Sequence, residues 1–82
     1  MVASNQPLGS IQETFGPALR KARTECGLSQ EELAFRSEVH RTYISEIERG
    51  VKNPSLLTVE RLAHAMKIKV STLIKQAEAM ST

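Results

Sequence analysis

Apolar residues recur along most of this chain at the three- and four-residue spacing of helices that pack on one side. Phe15, Leu19, Ala22 and Cys26 share one such face. Leu33 and Ala34 point inward from a second segment, and Ile44 and Ile47 from a third, with Val39 packing where the third begins. Leu56, Val59, Leu62, Ala63 and Met66 make a fourth stripe, and Leu73, Ile74, Ala77 and Met80 a fifth. The pattern predicts five helices and no strand.

Polar residues between the stripes set the expected boundaries. Ser10 with Glu13 has capping-box spacing, and Thr14 is a second candidate cap. Pro17 fits best within a first turn, which favours the later start, so the first helix is expected from about Thr14 to Glu25 or Cys26. Ser29 caps the second helix, and Glu32 stands three residues on as its box partner. The third runs from about His40 to Arg49, ended by Gly50 in left-handed conformation. Asn53-Pro54 marks a turn. Ser55 then caps a fourth helix reaching about Met66, and Ser71 a fifth. Residues 1–9, polar with Pro7 and Gly9, are expected to be a mobile arm, and residues 10–82 one domain.

Composition narrows the class. The 82 residues suffice for one domain, and the absence of Trp, with one Tyr, two Phe, four Gly and three Pro, favours helices over sheets. The single Cys26 excludes an intramolecular disulfide framework. No apolar run approaches the roughly 20 residues of a membrane span, and the first ten residues lack the basic and apolar regions of a signal peptide. A reducing cytoplasm is the expected location, with no membrane partner.

The net charge of +2 identifies nothing by itself, but its distribution is uneven. From Arg41 to Lys75 there are seven basic residues against three acidic, whereas Glu25 to Glu38 holds four Glu against one Arg. One end of the molecule therefore presents positive potential.

The segment from Leu28 to Gly50, LSQEELAFRSEVHRTYISEIERG, reads as two short helices joined by a tight turn. On the second, Arg41, Thr42, Ser45, Glu46 and Arg49 form one stripe, and Ile44 and Ile47 lie opposite. The polar stripe must face outward. This is the layout of a helix-turn-helix whose second helix enters a DNA major groove.

With L-S-Q-x-E-L-A, I-S-x-I-E-R-G and N-P-S-L in order, the chain resembles the Cro/repressor-type (XRE) helix-turn-helix family from about Phe15 to Ile74. The string from Arg41 to Arg49 also resembles restriction–modification controller proteins. The resemblance implies an all-α, compact five-helix bundle of the phage-repressor DNA-binding-domain type, with helices two and three as the helix-turn-helix. It implies a transcriptional regulator, activator or repressor, whose partner is double-stranded DNA. Glu38 and Lys67 stand where the family commonly has Gly. A left-handed backbone at Glu38 would store about 1 kcal/mol of strain.

The implied base contacts are Arg41, Thr42, Ser45 and Glu46. Arg41 matches the guanine O6/N7 edge, and Thr42 can meet a thymine methyl group or a phosphate. Ser45 is small enough to let the helix approach closely. Glu46 can accept from cytosine N4, orient Arg41 or Arg49, or penalise wrong sequences. Backbone contacts are expected from Gln30, His40, Tyr43, Arg49, Lys52, Asn53 and Ser55. Tyr43 has a competing role in packing against the second helix, and His40 one as an exposed helix-start residue. Arg23 and Glu48 lie on inward sides of their helices and are expected to form a half-buried structural ion pair, which is familiar in the family.

One recognition helix reads few base pairs, and family members commonly dimerise to reach successive major grooves about 34 Å apart. Leu57, Ile68, Val70, Leu73, Ile74 and Ala77 are the expected homodimer surface, unless all of them fill the core. Cys26 is expected to fill a gap near the end of the first helix. His40, His64 and one cysteine make no metal set. No cofactor is implied, and no nucleophile, phosphate-loop or paired-carboxylate motif points to an enzyme. Residues 10–82 are expected to be the helix-turn-helix DNA-binding domain with a C-terminal dimerisation helix. The sequence and its resemblance thus point to a sequence-specific, autoregulatory transcriptional regulator of the controller-protein kind, activator or repressor, dimeric on a palindromic operator. An antitoxin with a protein partner, or a protein-binding adaptor, is the alternative.

Overall fold

The computed structural model describes residues 10–81. Among them are five helices and no strand: α1 (Ile11–Glu25), α2 (Gln30–Ser37), α3 (Arg41–Glu48), α4 (Leu56–Ala65) and α5 (Val70–Ala79). The arm assigned to residues 1–9 lies outside the described residues. Helix α1 packs against α5 and α3, α2 against α3 and α4, and α4 against α5. Every helix sends a side chain to the shared centre, where Leu19, Leu33, Ile44, Ile47, Leu62 and Leu73 are fully buried. Each such burial stabilises by roughly 1.5–3 kcal/mol.

The first helix starts earlier than its proline suggests. Ser10 occupies the N-cap without a side-chain cap bond, and Pro17 lies inside the helix. The Ser10 carbonyl accepts from the backbone N–H of Glu13 and Thr14. Thr14 Oγ1 donates to the Ala77 carbonyl on α5 at 2.7 Å. That tertiary anchor holds the first turn on the bundle and offsets the proline's local cost.

The second helix follows its capping box, with Ser29 Oγ accepting from Glu32 N at 3.0 Å and Glu32 Oε1 from Ser29 N at 2.8 Å. It ends at Glu38, whose φ of 60° is left-handed. Lys67 adopts the same region at 59°. Both residues occupy glycine-favouring turns as L-residues. Val39 is buried just beyond Glu38, and Ser37 Oγ accepts its N–H at 3.2 Å. Helix α3 is thereby aimed by a fixed turn.

Other boundaries and faces differ from the sequence pattern. Lys69, not Ser71, takes the N-cap of α5. The left-handed Lys67 lets the Ile68 N–H return to the Ala63 carbonyl, so the chain restarts its helix two residues sooner. Cys26 is the C-cap of α1 and exposed rather than filling a gap, and its thiol donates to the Met66 carbonyl at 3.7 Å. Leu56 sits on the inward stripe yet is 83% exposed, because it borders an open groove with Ile11, Phe15, Val59 and Ile74. Met80 is exposed at the last turn. Among the described residues, no helix is long and apolar enough to cross a membrane.

Candidate nucleic-acid interface

Helix α3 is short, and its orientation is set from below. Ile44 and Ile47 are buried, so rotation about the helix axis is fixed by packing. Arg41 and Thr42 in the first turn and Arg49 at the C-cap are exposed, with Ser45 and Glu46 half-buried between them. The five residues grouped by sequence spacing thus share an uncovered side of α3. His40 takes the N-cap, exposed and without a side-chain cap bond.

Beneath that side lies the expected ion pair. Arg23 Nε donates to Glu48 Oε2 at 2.7 Å, and its Nη2 to Glu48 Oε1 at 3.0 Å. Their side chains are 11% and 4% exposed. Arg23 Nη1 also donates to the Leu28 carbonyl at 2.9 Å, which ties the α1–α2 turn to the pair. The hydrogen bond with Glu48 outweighs the burial cost and raises the Arg23 pKa, keeping the guanidinium charged.

The rim residues fall into two groups. Arg49, Lys52 and Asn53 are exposed and point no side-chain bond into the fold among the described residues. Gln30, Tyr43 and Ser55 are already engaged. Gln30 Nε2 donates to Glu48 Oε1 at 3.0 Å. Tyr43 packs against the core, and its hydroxyl donates to the Asn53 carbonyl at 3.5 Å. Ser55 Oγ caps α4 by accepting from Thr58 N at 3.1 Å. The Gln30 contact joins the structural pair to the outer face, and sequence spacing gave no warning of it. Its one available signal was that Gln30 opens α2 while Glu48 lies at the edge of the inward side of α3.

The expected dimer surface divides as well. Leu73 and Ala77 are completely buried within the protomer and are withdrawn from it, since they sit four residues apart on the inward line of α5. Ile68 and Ile74 are partly buried against the core, while Leu57 and Val70 remain exposed. Leu56, absent from the expected set, adds to the uncovered apolar area.

A helix-turn-helix family model matches residues 19–73, most of the described chain. The chain belongs to the helix-turn-helix family. Control protein C.BamHI of Bacillus amyloliquefaciens is 41% identical to this helix-turn-helix protein over 66 residues, covering 79% of this chain and 82% of its own length. The crystal structure of the restriction-modification controller protein C.AhdI from Aeromonas hydrophila matches at TM-score 0.73 and 45% identity, over 76% of this chain and 94% of that one. The clp gene regulator ClgR from C. glutamicum matches at TM-score 0.83 and 32% identity, over 98% of this chain and 100% of that one. This helix-turn-helix protein is a DNA-binding regulator that resembles restriction–modification controller proteins in sequence and fold.

Proposed function

We propose that this chain is a sequence-specific transcriptional regulator that binds a palindromic operator as a homodimer and acts on its own promoter, in the manner of a controller protein. The observation that carries the reading is the uncovered stripe of Arg41, Thr42, Ser45 and Glu46 on a helix whose other side is locked by Ile44 and Ile47. A fixed helix with an outward polar side meets the geometric demand of major-groove readout. Arg41 reads guanine, and Arg49, Lys52 and Asn53 hold the flanking phosphates. The exposed Leu56, Leu57 and Val70, with the half-buried Ile68 and Ile74, supply the apolar surface for a two-fold partner.

The test is titration of the purified protein against the DNA upstream of its own gene, with random duplex as competitor. Binding that survives competitor, with two protomers per site, supports the reading. Weak binding, equal for both DNAs, overturns the autoregulatory part and moves the search to a protein partner.

A further inference from the structure

The buried ion pair has a third member. Glu48 accepts from both Arg23 and Gln30, so the sequence Leu28 carbonyl, Arg23, Glu48, Gln30 is one continuous hydrogen-bonded chain with distances of 2.9, 2.7 and 3.0 Å. It runs from the α1–α2 turn, through the recognition helix, to the first residue of α2. Glu48 follows Arg41 by seven residues, so the two lie on nearly the same side of α3, two turns apart. Gln30 is therefore pinned beside the last turn of α3, at its Glu48 end. A side-chain amide carries two N–H donors. Glu48 takes one of them, and the other is left for an acceptor outside the fold.

We infer that Glu48 is a positioning residue for DNA binding: anchored by Arg23, it fixes the Gln30 amide as a preformed donor to a DNA phosphate. The inference rests on the DNA-binding reading above and assigns a new role within it. An untethered glutamine would surrender its rotamer freedom on binding, which weakens affinity by about ten- to thirty-fold. Here the fold has already fixed it. The negative charge of Glu48 would oppose a phosphate, but Arg23 neutralises it at 2.7 Å. Placing a neutral amide between the carboxylate and the phosphate lets a buried acid lie close to DNA without repelling it.

The experiment is a double-mutant cycle with Gln30→Ala, Glu48→Gln and the pair, titrated at several salt concentrations against a short random-sequence duplex. Circular dichroism first establishes that each variant is folded at the titration temperature. Gln30→Ala should weaken binding about tenfold, as expected for a hydrogen bond to a charged group. It should leave the salt slope unchanged, because no cation is lost. Glu48→Gln should weaken binding in the wild-type background and add nothing once Gln30 is alanine. Losses that multiply would assign Glu48 a purely structural role and overturn the inference.

A second measurement does not depend on the Glu48 variant folding. The Gln30 side-chain amide is identified in the nitrogen–proton NMR spectrum as the signal missing from Gln30→Ala, and one of its two protons should shift when duplex is added. A signal unmoved at saturation overturns the inference while leaving the DNA-binding reading intact. Wild-type protein that binds neither duplex nor its upstream DNA overturns both.

Discussion

Gly16 on α1 lies against the backbone of α3 so closely that a Cβ at that position would meet the Glu48 carbonyl oxygen at 2.7 Å, and the Ile47 carbonyl oxygen closer still. The first helix therefore touches the recognition helix with main chain on main chain, two turns before the Arg23 side chain crosses the same contact. Backbone atoms cannot step aside as a flexible side chain can. Gly16→Ala should destabilise the fold by about 1–3 kcal/mol through overpacking. The check is the urea midpoint, and an unchanged midpoint would mean that the two helices separate at little cost.

Loss of one member of the Arg23–Glu48 pair leaves the other charge buried and unpaired. Glu48→Ala or Arg23→Ala should each cost about 3–5 kcal/mol. Replacing both by methionine should cost less than either single change, because no orphaned charge remains. Chemical denaturation of the three variants tests this. A double variant as unstable as the sum of the singles would contradict it.

If Arg41 reads a base and Lys52 holds a phosphate, as proposed, the two should separate in a DNA titration. Arg41→Ala should lose about 1–3 kcal/mol on the preferred operator and relax discrimination at one base pair. Lys52→Ala should weaken binding to every sequence alike and lower the salt slope by about one. Identical behaviour of both variants across operator mutants would undo the division.

The capping box of α2 gives a pH signature. Glu32 Oε1 accepts from the Ser29 backbone N–H, and that bond is the main cause that lowers the Glu32 pKa from its ordinary value, with the Ser29 side chain adding to it. A carboxylate held lower in the folded state stabilises above its unfolded pKa, and that stabilisation fades as pH falls through the lower folded value. Wild-type protein should therefore lose more stability than Glu32→Gln between about pH 5 and about pH 3. Thermal melts across that range measure the difference, and parallel curves would remove the box from the acid response.

Glu38 at φ 60° and Lys67 at φ 59° hold a conformation that costs L-residues about 1 kcal/mol or more. Glu38→Gly and Lys67→Gly should each raise stability by up to about 1 kcal/mol, less the extra freedom glycine has in the unfolded chain. A lowered melting temperature for both would show that their side chains contribute more than the backbone strain removes.

By itself the sequence determined the helix count, the Ser29–Glu32 box, the inward Ile44 and Ile47, and the outward stripe of α3. Each depends on spacing along one helix or on a cap within four residues, and local geometry links sequence to structure at that range. It also determined the Arg23–Glu48 pair, because two opposite charges on inward faces have few alternatives to meeting. Only the tertiary structure decided the rest. The start of α1 rests on a bond from Thr14 to Ala77 across the bundle. Leu56 shares the inward spacing of Val59 but finds no cover, since burial depends on what lies opposite. Leu73 and Ala77 fill the protomer core, which leaves a smaller apolar surface on and around α5. Gln30 joins Glu48 across eighteen residues of chain. Such contacts depend on how whole helices pack, and no periodicity within one helix encodes them.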